Sequence, residues 1–69
     1  MNNKKLENWL NTQNFEDWQI VEHEEIILIT TYKEDFEVEK AFKEGGFNNI
    51  FHCDTTEEEG LFCHTFEIL

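Results

Sequence analysis

Two runs of β-branched and aromatic residues, each doubled back on itself by an acidic break and each preceded by a helical pattern, constrain this chain more than any other feature. The first run is Trp18 to His23 followed by Ile26 to Tyr32, with Glu24-Glu25 at the reversal. The second is Phe47 to Asp54 followed by Leu61 to Leu69, around Thr55-Thr56-Glu57-Glu58-Glu59-Gly60. Such residues suit a pleated, half-buried surface, so each run reads as a β-hairpin. Ahead of the first hairpin, Leu6, Trp9 and Leu10 recur at helical spacing between Asn3 and Gln13, with Asn3 placed to cap the helix. Ahead of the second, Val38, Ala41 and Phe42 form an inner stripe from Asp35 to Glu44, Phe36 lies off it, and Gly45-Gly46 supplies the stop. No proline interrupts either pattern.

The expected fold is therefore a single small two-layer α+β domain over residues 1–69, ordered α-β-β-α-β-β. Two helices would cover one face of a four-stranded, mainly antiparallel sheet. The halves, 1–33 and 34–69, can be overlaid as an internal αββ repeat that pairs Leu6 with Val38, Leu10 with Phe42, Phe15 with Phe47, Leu28 with Phe62 and Ile29 with Cys63. That overlay sets an expected register, with Val21 opposite Ile29, Ile20 opposite Thr30, Cys53 opposite Cys63 and His52 opposite His64. Because strand side chains alternate between faces, it places Trp18, Ile20, Leu28, Tyr32, Ile50, Phe62, Phe66 and Ile68 beneath the helices. The opposite face would carry Val21, Ile27, Ile29, Phe51, Cys53, Leu61 and Cys63. Two helices leave that face open, and an open apolar patch marks an interface for a partner or for a second copy in a homodimer.

Charge narrows the function. In 69 residues there are 16 acids against five lysines, a net charge of -11, with no arginine. Direct binding to nucleic acid or anionic lipid, which depends on lysine and arginine, is excluded. A chain this short has little room for an enclosed active site. No serine is present, Gly45-Gly46 lies in no phosphate-binding pattern, and the acids from Asp54 to Glu59 lack calcium-loop spacing. Neither enzymatic activity nor a cofactor is expected. The start of the chain lacks the apolar stretch of a signal peptide and the longest aliphatic run is Ile26 to Ile29, so the expected location is cytoplasmic, with reduced thiols.

Three surfaces or constellations compete as the site. His52, Cys53, Cys63 and His64 are all of zinc-ligand type, yet neighbours on a strand point to opposite faces, so one metal cannot gather all four. A metal or redox role for them ranks lowest. The acids form the second candidate: Glu22, Glu24 and Glu25 at one reversal, Glu34, Asp35 and Glu37 opening the second helix, and Asp54, Glu57, Glu58 and Glu59 at the other reversal. The apolar open face, with Val21, Ile27, Ile29, Phe51 and Leu61, is the third.

In size and charge alone the chain resembles the small acidic inhibitors made by phages and mobile elements, a likeness that assigns no individual residue. The resulting expectation is a non-catalytic module that inhibits or sequesters a basic nucleic-acid-binding protein or nuclease, with carboxylates mimicking nucleic-acid phosphates. The alternative is a homodimeric structural or regulatory domain joined through the open sheet face.

Overall fold

The computed structural model describes residues 3–69; Met1 and Asn2 lie outside the described residues. Helix α1 spans Lys4–Asn11, strand β1 Asp17–Val21, β2 Ile26–Thr31, helix α2 Asp35–Glu44, β3 Ile50–Glu58 and β4 Leu61–Ile68. The strands form one antiparallel sheet in the order β1-β2-β4-β3. This is the expected α+β order, with the second strand of each half at the centre and the first at each edge.

Both helices bury the expected stripes. Leu6 and Leu10 of α1 and Val38 and Phe42 of α2 join Ile27, Ile29, Ile50, Phe66 and Ile68 in one core, with Trp9, Phe15, Trp18, Ile20 and Phe47 packed around it. Trp9 stacks on Phe42 with ring centroids 4.8 Å apart, and Phe42 meets Phe66 edge-on at 5.2 Å. Asn3 occupies the N-cap of α1 but its side chain makes no cap hydrogen bond. At α2 the N-cap is Glu34, not Asp35; its N–H donates to the Glu37 carboxylate at 2.9 Å in a capping-box arrangement. The helix ends in a Schellman motif. The Phe47 N–H donates to the Phe42 carbonyl and the Gly46 N–H to that of Lys43, with Gly46 at φ +91°.

The expected registers are both displaced. In the first hairpin Val21 stands opposite Ile26 and Ile20 opposite Ile27, because Glu22–Glu24 form a 3-10 turn and Glu25 a left-handed residue before β2 begins. The displacement reverses β2. Ile27, Ile29 and Thr31 are buried under the helices, whereas Leu28, expected there, lies on the open face, and Tyr32 projects into solvent. The overlay pairs of β2 with β4 fail for the same reason: Ile29 points into the core and Cys63 away from it.

The second hairpin turns on two residues, Glu59 and Gly60, both at positive φ as a type I′ turn requires. Glu57 and Glu58 therefore belong to β3, which runs past Asp54, where the sequence pattern ends the strand. A β-bulge at Cys53 shifts the pairing, so that His52 faces Phe66, Asp54 faces Thr65, Thr55 faces His64 and Thr56 faces Cys63. Cys53 thus sits three positions from the partner of Cys63, roughly 9 Å along the strand, beyond disulfide reach. Both thiols are free.

Candidate functional site

The open face follows from the observed register. Across the sheet one row reads Val21, Ile26, Glu67, Phe51; the next Gln19, Leu28, Thr65, Asp54; the next Asp17, Thr30, Cys63, Thr56; and Leu61 beside Glu58 closes it. Its apolar centre, Ile26, Leu28, Cys63 and Leu61, is only half-buried. Of the residues expected here, Val21, Phe51 and Leu61 are present, while Ile27 and Ile29 are in the core instead. At one end a shallow groove of about 220 Å³ runs between Thr30, Thr56, Glu58, Leu61 and Cys63.

The lysines are kept out of the strands. The open face presents Asp17, Asp54, Glu58 and Glu67, and no strand contains a lysine. All five lysines lie in α1, in α2 or in the loop before α2. One is partly neutralised by an acid of its own helix: Lys43 stands 3.8 Å from Glu39. The acids of the open face also act on the bulge. The Cys53 thiol is held above its ordinary pKa, first by loss of solvation and then by the charges of Glu67 and Asp54, which keeps it protonated and a poor nucleophile.

The acidic residues named from the sequence fall into two groups. Because β2 and β4 are antiparallel, the Glu22, Glu24 and Glu25 turn lies at one end of the sheet and the Glu57, Glu58 and Glu59 end of the second hairpin at the other. Glu34, Asp35 and Glu37 join the latter, since α2 begins where β2 ends, beside the Thr31–Phe62–Glu57 row. Glu37 is also committed to capping α2.

The histidines and cysteines part as expected, to opposite faces, but the histidines enter a chain of contacts that the sequence pattern does not reveal. His52 Nδ1 lies 3.5 Å from Asp35 Oδ2, and His52 Nε2 lies 2.5 Å from Thr55 Oγ1. Thr55 Oγ1 in turn lies 2.7 Å from His64 Nδ1, and His64 Nε2 donates to the Lys33 carbonyl at 2.8 Å. The bulge makes this chain: in a regular strand His52 and Thr55, three apart, would face opposite ways. The His52 backbone N–H donates to Glu39 at 2.9 Å, tying α2 to β3. Asp35, His52 and Thr55 have the carboxylate, imidazole and hydroxyl order of a nucleophilic triad. The far side of the hydroxyl, however, is occupied by His64, and the surface grooves are lined by other residues. Among the described residues no group of three or more His, Cys, Asp or Glu is arranged to hold a metal ion.

No protein family, curated protein or solved structure matches this chain. Among the described residues no helix is long and apolar enough to cross a membrane.

Proposed function

We propose that this chain is a non-catalytic binding module that captures a basic, nucleic-acid-handling protein and competes with nucleic acid for it. One observation carries the reading: the sheet face left uncovered by the helices combines a half-buried apolar centre with Asp17, Asp54, Glu58 and Glu67 and contains no lysine. Apolar centres with charged rims are the usual anatomy of interfaces, the centre supplying affinity and the rim steering and specificity. A basic partner meets both requirements. A second copy does not, because it carries the same acids on the same face and adds a further charge of -11. The acids at both ends of the sheet extend the negative field toward the partner.

The test is capture of the partner from lysate of the source cell, followed by displacement with duplex DNA and with single-stranded RNA. Displacement by either, together with at least tenfold weaker binding when salt rises from about 0.05 to about 0.5 M, is expected, since exposed charge pairs are screened beyond roughly 10 Å at 0.1 M. A captured partner indifferent to both salt and nucleic acid would remove the proposal.

A further inference from the structure

The hydrogens in the chain Asp35, His52, Thr55, His64 and Lys33 can be counted. The Lys33 carbonyl can only accept, so His64 Nε2 must carry a hydrogen. Thr55 Oγ1 stands between His52 Nε2 at 2.5 Å and His64 Nδ1 at 2.7 Å. Lone pairs do not face each other at such separations, so each contact needs a hydrogen, and the hydroxyl has only one. With both imidazoles neutral, one ring hydrogen is used at Lys33 and the other belongs to His52. Placed on Nε2, it completes the short contacts but turns a bare Nδ1 toward the Asp35 carboxylate, across the longest spacing, 3.5 Å. Placed on Nδ1, it serves Asp35 and leaves one of the short contacts without a hydrogen. The neutral chain is one hydrogen short, and the distances put the gap at Asp35.

We infer that this cluster is a proton-binding site, in which one added proton on His52 Nδ1, against the Asp35 carboxylate, completes all four links. The other location, a cationic His64, is disfavoured by its surroundings. His64 is fully buried, stacked on Phe62 at 5.3 Å and edge-on to Phe66 at 6.1 Å, with no carboxylate among its hydrogen-bond partners. An unpaired charge there would be costly. His52 keeps 25% of its side chain in solvent and faces two carboxylates of α2, Asp35 at the ring and Glu39 at the backbone N–H. From β4 it meets His64 and Phe66, and from the loop the chain takes only the Lys33 carbonyl, as the Lys33 ammonium lies over Phe15 at 5.9 Å. The bound proton fastens the first turn of α2 to β3. The fastened form is the acid form: when the proton leaves, the Asp35 link opens while the other three persist.

Histidine ¹⁵N NMR of the whole chain over a pH series, with wild type and Asp35→Asn side by side, tests this. In the wild type, neutral His52 is expected as the Nε2–H tautomer and gains its second hydrogen as pH falls, while His64 stays Nε2–H throughout. In Asp35→Asn the amide can donate to the bare Nδ1, so the chain closes without a proton and His52 is expected to charge only in more acidic solution than in the wild type. A His64 ring that charges first, a neutral His52 in the Nδ1–H form, or unchanged His52 titration in Asp35→Asn would each overturn the site. Thr55→Val gives an independent reading should Asp35→Asn not fold: with the hydroxyl gone nothing holds a hydrogen on His52 Nε2, so neutral His52 is expected to move to the Nδ1–H form that serves Asp35, and an unchanged Nε2–H tautomer would overturn the chain.

Discussion

Leu28 and Ile29 are adjacent and isomeric, yet Ile29 is fully buried while Leu28 lies half-exposed on the open face. Truncation should separate them. Ile29→Ala is expected to lower unfolding free energy by about 2–5 kcal/mol through lost transfer energy and a residual cavity, and Leu28→Ala by less than about 1 kcal/mol, read from urea midpoints. Equal losses would mean that β2 faces the other way. The sequence pattern is silent on this point because Ile26 to Ile29 are four consecutive aliphatic residues, so no alternation distinguishes the two sides. Phe36 was legible as off the helix stripe, and it is 66% exposed. Thr55 was not: its value comes from standing between two histidines, and nothing local marks it. Cys53 provides a further check at this scale. Its raised pKa means that alkylation should need more alkaline solution than a free thiol requires, and Asp54→Asn with Glu67→Gln should shift that profile toward neutral pH. A profile unmoved by both substitutions would show that their charges do not reach the thiol.

The elements are most legible where a physical stop is written in the residues. Gly45-Gly46 closes α2 as expected, and the two glycines serve different ends. Gly46 supplies positive φ, whereas a Cβ at Gly45 would come within 2.9 Å of Trp9 Cε2, so its absence admits the indole that stacks on Phe42. The hairpin ends are less legible. Glu59-Gly60 makes a two-residue turn without the Asn-Gly or Asp-Gly pair that would advertise it, so the sequence pattern gives Glu57 and Glu58 to a loop and not to β3. Gly60→Ala should cost about 1 kcal/mol, since φ is +84° there and nothing crowds the position. No loss in the thermal midpoint would argue against the turn. The bulge at Cys53 carries the largest consequence of any single element. It returns Thr55 to the helix side and sends Asp54 and Glu58 to the open face, creating both the proton chain and part of the acidic rim.

At the scale of the molecule, every lysine lies in a helix or in the loop before α2, and the open sheet face presents acids around an uncovered apolar centre. That division comes from the fold. Net charge is plain from the sequence and points to a basic partner, but the placing of Asp54 and Glu58 on the open face depends on the bulge, which the sequence pattern does not reveal. The turn acids Glu22, Glu24 and Glu25 stand apart from this face, at one end of the sheet, and serve as its natural control. The direct measurement is the affinity for the captured basic partner of three chains: wild type, the open-face variant Asp17→Asn/Asp54→Asn/Glu58→Gln/Glu67→Gln, and the turn variant Glu22→Gln/Glu24→Gln/Glu25→Gln. The first variant should lose at least tenfold in affinity and most of the salt dependence, and the second less than about threefold, because charge outside the contact changes chiefly the rate of encounter. Equal losses, or the greater loss in the turn variant, would contradict the assignment of the open sheet face as the binding surface.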